Sequence, residues 1–130
     1  MSPIFFVVEA TAVLALVTTP IVINVKPALG LGAGADLLQY RLRLISFGLQ
    51  RTVTVSAAAT WAPRVCEDVS GTDPLLRLQA LAAGPLTTFV VQPVSEIYFT
   101  IGTGGAFSVV PAPNVAGDTV RARVWLQLFT

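Results

Sequence analysis

Residues 119–129 read Thr119-Val120-Arg121-Ala122-Arg123-Val124-Trp125-Leu126-Gln127-Leu128-Phe129, and their alternation is complete. In an extended chain Val120, Ala122, Val124, Leu126 and Leu128 fall on one side. Arg121, Arg123, Trp125, Gln127 and Phe129 fall on the other, because successive side chains of a strand point to opposite faces. A helix would scatter the same apolar groups around its whole circumference. The stretch is therefore a strand with one face in a core, and it sets the period against which the other segments are read.

Working outward, the same period recurs. Leu37–Phe47 places Leu42 and Leu44 opposite Arg41 and Arg43, and Gln50–Ala57 places Val53 and Val55 opposite Thr52 and Thr54. Gly48 between these two runs allows a bulge or a tight bend. Thr87–Val91, Glu96–Ile101 and Ala106–Val110 read as further strands, punctuated by Gln92-Pro93, Gly102-Thr103-Gly104-Gly105 and Pro111-Ala112-Pro113-Asn114. Leu75–Ala83 is ambiguous. Asp73-Pro74 before it and Gly84 after it suit a short helix, whereas Leu76, Leu78 and Ala80 alternating with Arg77 and Gln79 suit a strand, the reading preferred here. The polar stretch between Trp61 and Pro74 is expected to be a surface loop, and Ala28–Asp36, with glycines at alternate positions, a flexible or closely packed one. No internal repeat is present. The expectation is one all-β domain over residues 1–130, an antiparallel β-sandwich or jelly roll of about eight strands.

Ile4–Val25 is the most hydrophobic segment and, as a helix, would be long enough to span a bilayer. It holds Glu9 within the apolar run, Pro20 near its far end and many Val, Ile and Thr residues, which favour strands. No basic residue precedes Lys26, against the charge pattern of a secretory signal. Two strands, Phe5–Val17 and Ile21–Val25, hinged at Thr18-Thr19-Pro20, are the favoured reading. Residues 1–27 then serve as core strands, as an extended N-terminal arm, or as strands swapped into a neighbour. Membrane association through residues 4–25 is the less favoured alternative.

Hydrophobic residues make up 54% of the 130 and charged residues 12%, about half the usual charged share, so a lone monomer is short of polar groups to cover itself. Something else should cover part of the apolar surface. Eight basic and seven acidic residues are scattered singly, and no basic patch exists to neutralise a run of phosphates, which argues against nucleic acid as a partner. Seven of the eight basic residues are Arg, whose planar guanidinium tolerates partial burial at interfaces. Cys66 is the single cysteine, so no intrachain disulfide can form.

Catalysis finds little support. The chain has no histidine, the usual general base at neutral pH and a common metal ligand. Glu67 and Asp68 are adjacent, but neighbours on a strand diverge; with Asp73 they could form only a weak Ca²⁺ loop whose spacing matches no motif. Gly30-Leu31-Gly32-Ala33-Gly34-Ala35 satisfies the dinucleotide pattern in form, yet the chain then enters the strand carrying Arg41 and Arg43 instead of a helix. Cys66 has no His or second Cys to activate it and reads as an inert thiol. No catalytic residue, metal site or cofactor is expected, and the chain is not expected to be an enzyme.

What remains is surface. Arg121, Arg123, Trp125 and Phe129 share a strand face whose mixture of aromatic and Arg groups suits an interface, and Phe5 and Phe6 at the N-terminus are further candidates. Trp61 beside Pro63, and Tyr98 beside Phe99, pose the same choice between interface and packing. Aromatics near loops also stack on sugars, so a carbohydrate- or receptor-binding module is the second expectation. The strand-rich chain, with its turns at Gly102–Gly105 and Pro111–Pro113 and its closing strand Val120–Leu126, resembles the small jelly-roll or sandwich proteins that decorate or cement phage and virus capsids. The resemblance implies a non-catalytic virion protein, commonly trimeric, that binds copies of itself and a major capsid or scaffold protein.

Overall fold

The computed structural model describes residues 4–32, 41–58, 60–72, 74–77, 81–82, 90–100 and 105–129, with side chains described outside 74–77, 81–82 and 90–97. In chain order the elements are β1 (Ile4–Val13), β2 (Ile21–Asn24), α1 (Val25–Ala28), β3 (Arg41–Val53), β4 (Thr60–Trp61), β5 (Arg64–Cys66), β6 (Pro74–Arg77), β7 (Leu81–Ala82), β8 (Val90–Phe99), β9 (Ala106–Val110) and β10 (Thr119–Phe129). Two four-stranded sheets run β1-β10-β3-β8 and β2-β9-β5-β6, and β4 pairs with β7. All pairings are antiparallel.

Setting the short β4–β7 pair aside, the first strand pairs with the last, the second with the seventh, the third with the sixth and the fourth with the fifth. That is a long hairpin rolled up on itself, the jelly-roll winding. The expected all-β sandwich is therefore present, in its jelly-roll form.

The core lies between the sheets. From the first come Val8 of β1, Leu42, Leu44, Phe47 and Leu49 of β3, Phe99 of β8, and the predicted apolar face of β10. From the second come Ile21, Ile23, Val65, Phe107 and Val109, with Phe99 meeting Phe107 edge to face at 5.1 Å between centroids. Trp61, beside the sandwich on β4, is fully buried, which settles it as a packing residue.

Several boundaries differ from the sequence reading. β1 stops at Val13, not Val17, because the chain turns there: the Leu16 amide donates to Thr19 Oγ1 (2.9 Å) and the Thr19 amide to the Leu16 carbonyl (3.1 Å). Val25 opens the one-turn helix α1 instead of ending a strand. β3 runs unbroken through Gly48, and its irregularities lie elsewhere: Ile45 is left unpaired as Trp125↔Ser46 gives way to Leu126↔Leu44, and Thr52 as Thr119↔Val53 gives way to Val120↔Arg51. Beyond Val53 the predicted strand ends, since the Val55 and Ser56 amides turn to Asp118. Gln92-Pro93 does not interrupt β8. Pro93 is accommodated opposite Ser46 because β8 is an edge strand, where one missing amide is tolerated. The polar stretch after Trp61 begins as a strand, β5, before looping over residues 67–72. The Leu75–Ala83 passage contains β6 and β7, so its strand reading holds where it is described. The expectations for residues 33–40, Asp73, 78–80, 83–89 and 101–104 lie outside the described residues.

Ile4–Val25 thus forms two strands and the start of a single helical turn, β1 pairing with β10 of the same chain and β2 with β9. No described helix is long and apolar enough to cross a membrane.

Candidate interaction surface

The register of β10 between β1 and β3 builds one face from three distant segments. Phe5, Val7, Glu9 and Thr11 of β1 stand opposite Gln127, Trp125, Arg123 and Arg121, while Arg43 and Ser46 of β3 stand opposite Gln127 and Trp125 on the other side. These side chains point away from the core. Arg121, Arg123, Trp125 and Phe129 are half-buried on this outer face, as the alternation predicts, whereas Gln127 is buried among its neighbours. Phe5 joins them and is 67% exposed; Phe6, one residue on, points inward and packs against the core.

The face is stitched by charge and aromatic contacts. The Glu9 carboxylate pairs with Arg123, whose guanidinium also lies 5.7 Å from the centre of the Trp125 ring. Arg41 lies 5.5 Å from the centre of the Tyr98 ring, and Tyr98 stacks obliquely on Phe129 at 5.8 Å. Arg43 donates to Gln127 Oε1 at 3.4 Å. Among the residues whose side chains are described, this face therefore sets four arginines against one carboxylate, with Phe5, Val7, Trp125, Phe129 and Tyr98 as apolar groups between them. Sequence reasoning missed Arg41, Arg43 and Val7 as members and left Tyr98 open between interface and packing, because only the cross-strand register brings them to the face of β10. The bulge at Ile45 adds relief: a groove of about 360 Å³ is lined by Phe5, Val7, Ile45, Ser46 and Trp125.

The other candidate chemistries resolve into structural roles. The Asp68 carboxylate accepts from Ser70 Oγ (2.6 Å) and from the Thr72 amide and hydroxyl (3.1 and 2.7 Å), closing the 67–72 loop on itself. Among the described residues no three Cys, Asp or Glu side chains come together as metal ligands would. Gly30 ends α1 with φ of +72°, so the first residues of the glycine-rich segment, Gly30–Gly32, follow a helical turn, and Ala33–Ala35 lie outside the described residues. Cys66 is buried under the 67–72 loop, and burial pushes its thiol up in pKa against the lowering pull of Arg64. A thiol held protonated and out of solvent is a poor nucleophile.

No protein family matches the chain, and no curated protein matches it. Solved structures do. A chain of the cyanophage Pam1 capsid asymmetric unit is similar over 98% of this chain and 86% of its own length, with a TM-score of 0.50 and 11% identity. A cleaved adhesin domain of Lys-gingipain from Porphyromonas gingivalis aligns over 100% of this chain and 99% of its own, with a TM-score of 0.34 and 11% identity. The CBM22-1 and GH10 modules of xylanase 10B from Clostridium thermocellum align over 94% of this chain and 26% of theirs, with a TM-score of 0.34 and 9% identity. What the chain shares with the capsid structure is its fold.

Proposed function

We propose that this chain is a non-catalytic structural subunit of a virus particle, a decoration or cement protein that joins copies of itself, favoured as a trimer, to a major capsid or scaffold protein. The observation that carries the reading is the outer face of the β1-β10-β3-β8 sheet. It presents Phe5, Val7, Trp125, Phe129 and Tyr98 among four arginines, a composition suited to the centre of a protein interface. The capsid-like fold supports the same reading.

The test is the molar mass of the detergent-free protein by size-exclusion chromatography with light scattering. A trimer or another closed oligomer is expected, and Trp125→Ala with Phe129→Ala is expected to dissociate it without loss of the β-sheet circular dichroism signal. A wild-type monomer at every concentration would sink the proposal. One observation favours a second reading, a carbohydrate- or receptor-binding module: the groove at Ile45, with Phe5 and Trp125 on its walls, offers flat rings to a sugar. Glycan binding by a monomer, abolished by Trp125→Ala, would select that reading. Trp61 plays no part in it, being inside the molecule.

A further inference from the structure

We propose that the free edge of β1 is a two-fold contact, at which β1 of a second copy pairs antiparallel with it and joins two four-stranded sheets into one of eight. The inference rests on the assembly reading and adds to it a second contact, distinct from the outer face.

A sheet edge exposes unpaired backbone amides and carbonyls, and folded proteins ordinarily blunt such edges with proline, bulges or short strands. Among the described residues, three of the four edges of the two four-stranded sheets are blunted. β8 carries Pro93 and a register shift, β6 has four residues with a shift at its pairing with β5, and β2 has four residues. β1 is the exception: ten residues without proline, in unbroken register with β10, and bonded to no other strand among the described residues. Its one charge, Glu9, is already held by Arg123. Ile4, Phe5, Val7 and Val13 are all exposed large apolar residues. Beside the strand runs a groove of about 480 Å³ between Val7–Ala10 and Val22, Asn24, Pro27 and Ala28.

The occupant follows from symmetry. An antiparallel edge is its own complement across a two-fold axis normal to the sheet, so a second copy always supplies the matching strand. Such an axis keeps the faces of the joined sheet aligned, and therefore pairs odd residues with odd and even with even. Centring it on Glu9 would set two carboxylates directly opposite one another, which is destabilising. Centring it on Val7 shortens the paired segment. Centring it on Val8 pairs Ile4 with Ala12, Phe5 with Thr11, Phe6 with Ala10 and Val7 with Glu9, keeping the longest ladder with no like-charge pair.

The register can be tested by charge exchange, because Phe5 and Thr11 are both exposed and lie at opposite ends of one strand, too far apart to meet within a chain. The wild-type mass is expected to be an even multiple of the chain's, six where the favoured trimer is doubled through β1, and a mass of three chains would overturn the β1 contact while leaving the assembly reading intact. Phe5→Lys with Thr11→Lys sets like charges opposite each other twice and should halve the mass; Phe5→Lys with Thr11→Glu should restore it. Restoration separates this contact from the outer face, since Phe5 is lost in both variants. Should the lysine variant fail to fold, Val8→Cys in the otherwise native chain provides the second measurement. On the axis its thiol stands directly opposite that of the second copy and should form a disulfide-linked dimer under mild oxidation; the native chain, whose single thiol is Cys66, is the control and should form none. An unchanged mass in the lysine variant together with no Val8→Cys dimer overturns the β1 contact while leaving an oligomeric wild type, and hence the assembly reading, intact. A monomeric wild type overturns both.

Discussion

Asp118 fixes the place where the first sheet ends. It is fully buried, and Oδ2 accepts from Arg51 Nη1 at 2.8 Å and from Ser56 Oγ at 2.9 Å, while Oδ1 accepts from the Val55 and Ser56 amides at 2.7 and 2.8 Å. Its backbone carbonyl takes the Leu14 amide as well, so one residue ties together the chain leaving β1, the chain leaving β3 and the start of β10. The alternation of Val53 and Val55 suggested a strand through Ala57; four hydrogen bonds to one carboxylate outweigh that pattern. Nothing in the sequence singled out Asp118, because its partners lie more than sixty residues away. Burial pushes its carboxyl up, but Arg51, the two amides and Ser56 together outweigh burial and hold the carboxyl below its ordinary value. Such a group contributes stability that is complete above the unfolded value of about 3.9 and is lost as pH falls through the lower, folded value. Asp118→Ala leaves Arg51 buried without its partner and should cost about 3–5 kcal/mol. Urea titrations between pH 3 and 7 should show the wild type weakening toward acid and the variant weakening less. Equal pH slopes would show that this carboxylate does not govern acid stability.

At the scale of elements, the 67–72 loop turns part of the outer surface of the second sheet into interior. Ser108 Oγ donates to the Asp68 carbonyl at 2.5 Å, Arg64 Nη2 donates to the Gly71 carbonyl at 3.2 Å, and Cys66 and Val110 are buried beneath. The close approach needs Gly71, whose φ is +74° and whose added Cβ would stand 2.6 Å from Val110 Cγ2. Gly71→Ala should therefore cost on the order of 1–3 kcal/mol and lift the loop. Cys66 reports it: the wild-type thiol should resist an aromatic disulfide reagent, and the variant thiol should react many times faster while the fold persists. Equal rates would mean that the loop does not guard Cys66. Strands with strict alternation, β10 and the first half of β3, were legible because one face meets a core and the other does not. β8 was misread at Pro93 and β3 at Gly48, since whether a proline or glycine breaks a strand depends on its place at an edge or in the middle of a sheet, which a single sequence does not display. The outer face was half legible for a related reason: β10 supplied its own residues, and the register supplied Arg41, Arg43 and Val7 and decided the case of Tyr98.

For the whole molecule, the jelly roll accounts for much of the unusual composition but not for all of it. Two apolar sheet faces are sealed against each other, yet Phe5, Val7, Val13, Leu16, Val17, Val53, Val55 and Tyr98 stay exposed in the single chain. A chain with 12% charged residues has few other groups with which to hold these in water. Association that hides them should stabilise the folded state by mass action, because only folded subunits carry the complementary surfaces. The melting temperature should therefore rise with protein concentration, each tenfold increase adding on the order of 1 kcal/mol for an associating subunit, which is a shift of a few degrees for a domain of this size. Calorimetry across a hundredfold concentration range checks this, with Trp125→Ala/Phe129→Ala as the comparison. The variant, left with the β1 contact alone, should show the smaller rise, and at the lowest concentration the two should converge. A wild-type melting temperature that ignores dilution would mean that the isolated jelly roll is stable with its aromatic face in water, and the reason for that face would then have to be a ligand instead of a neighbouring subunit.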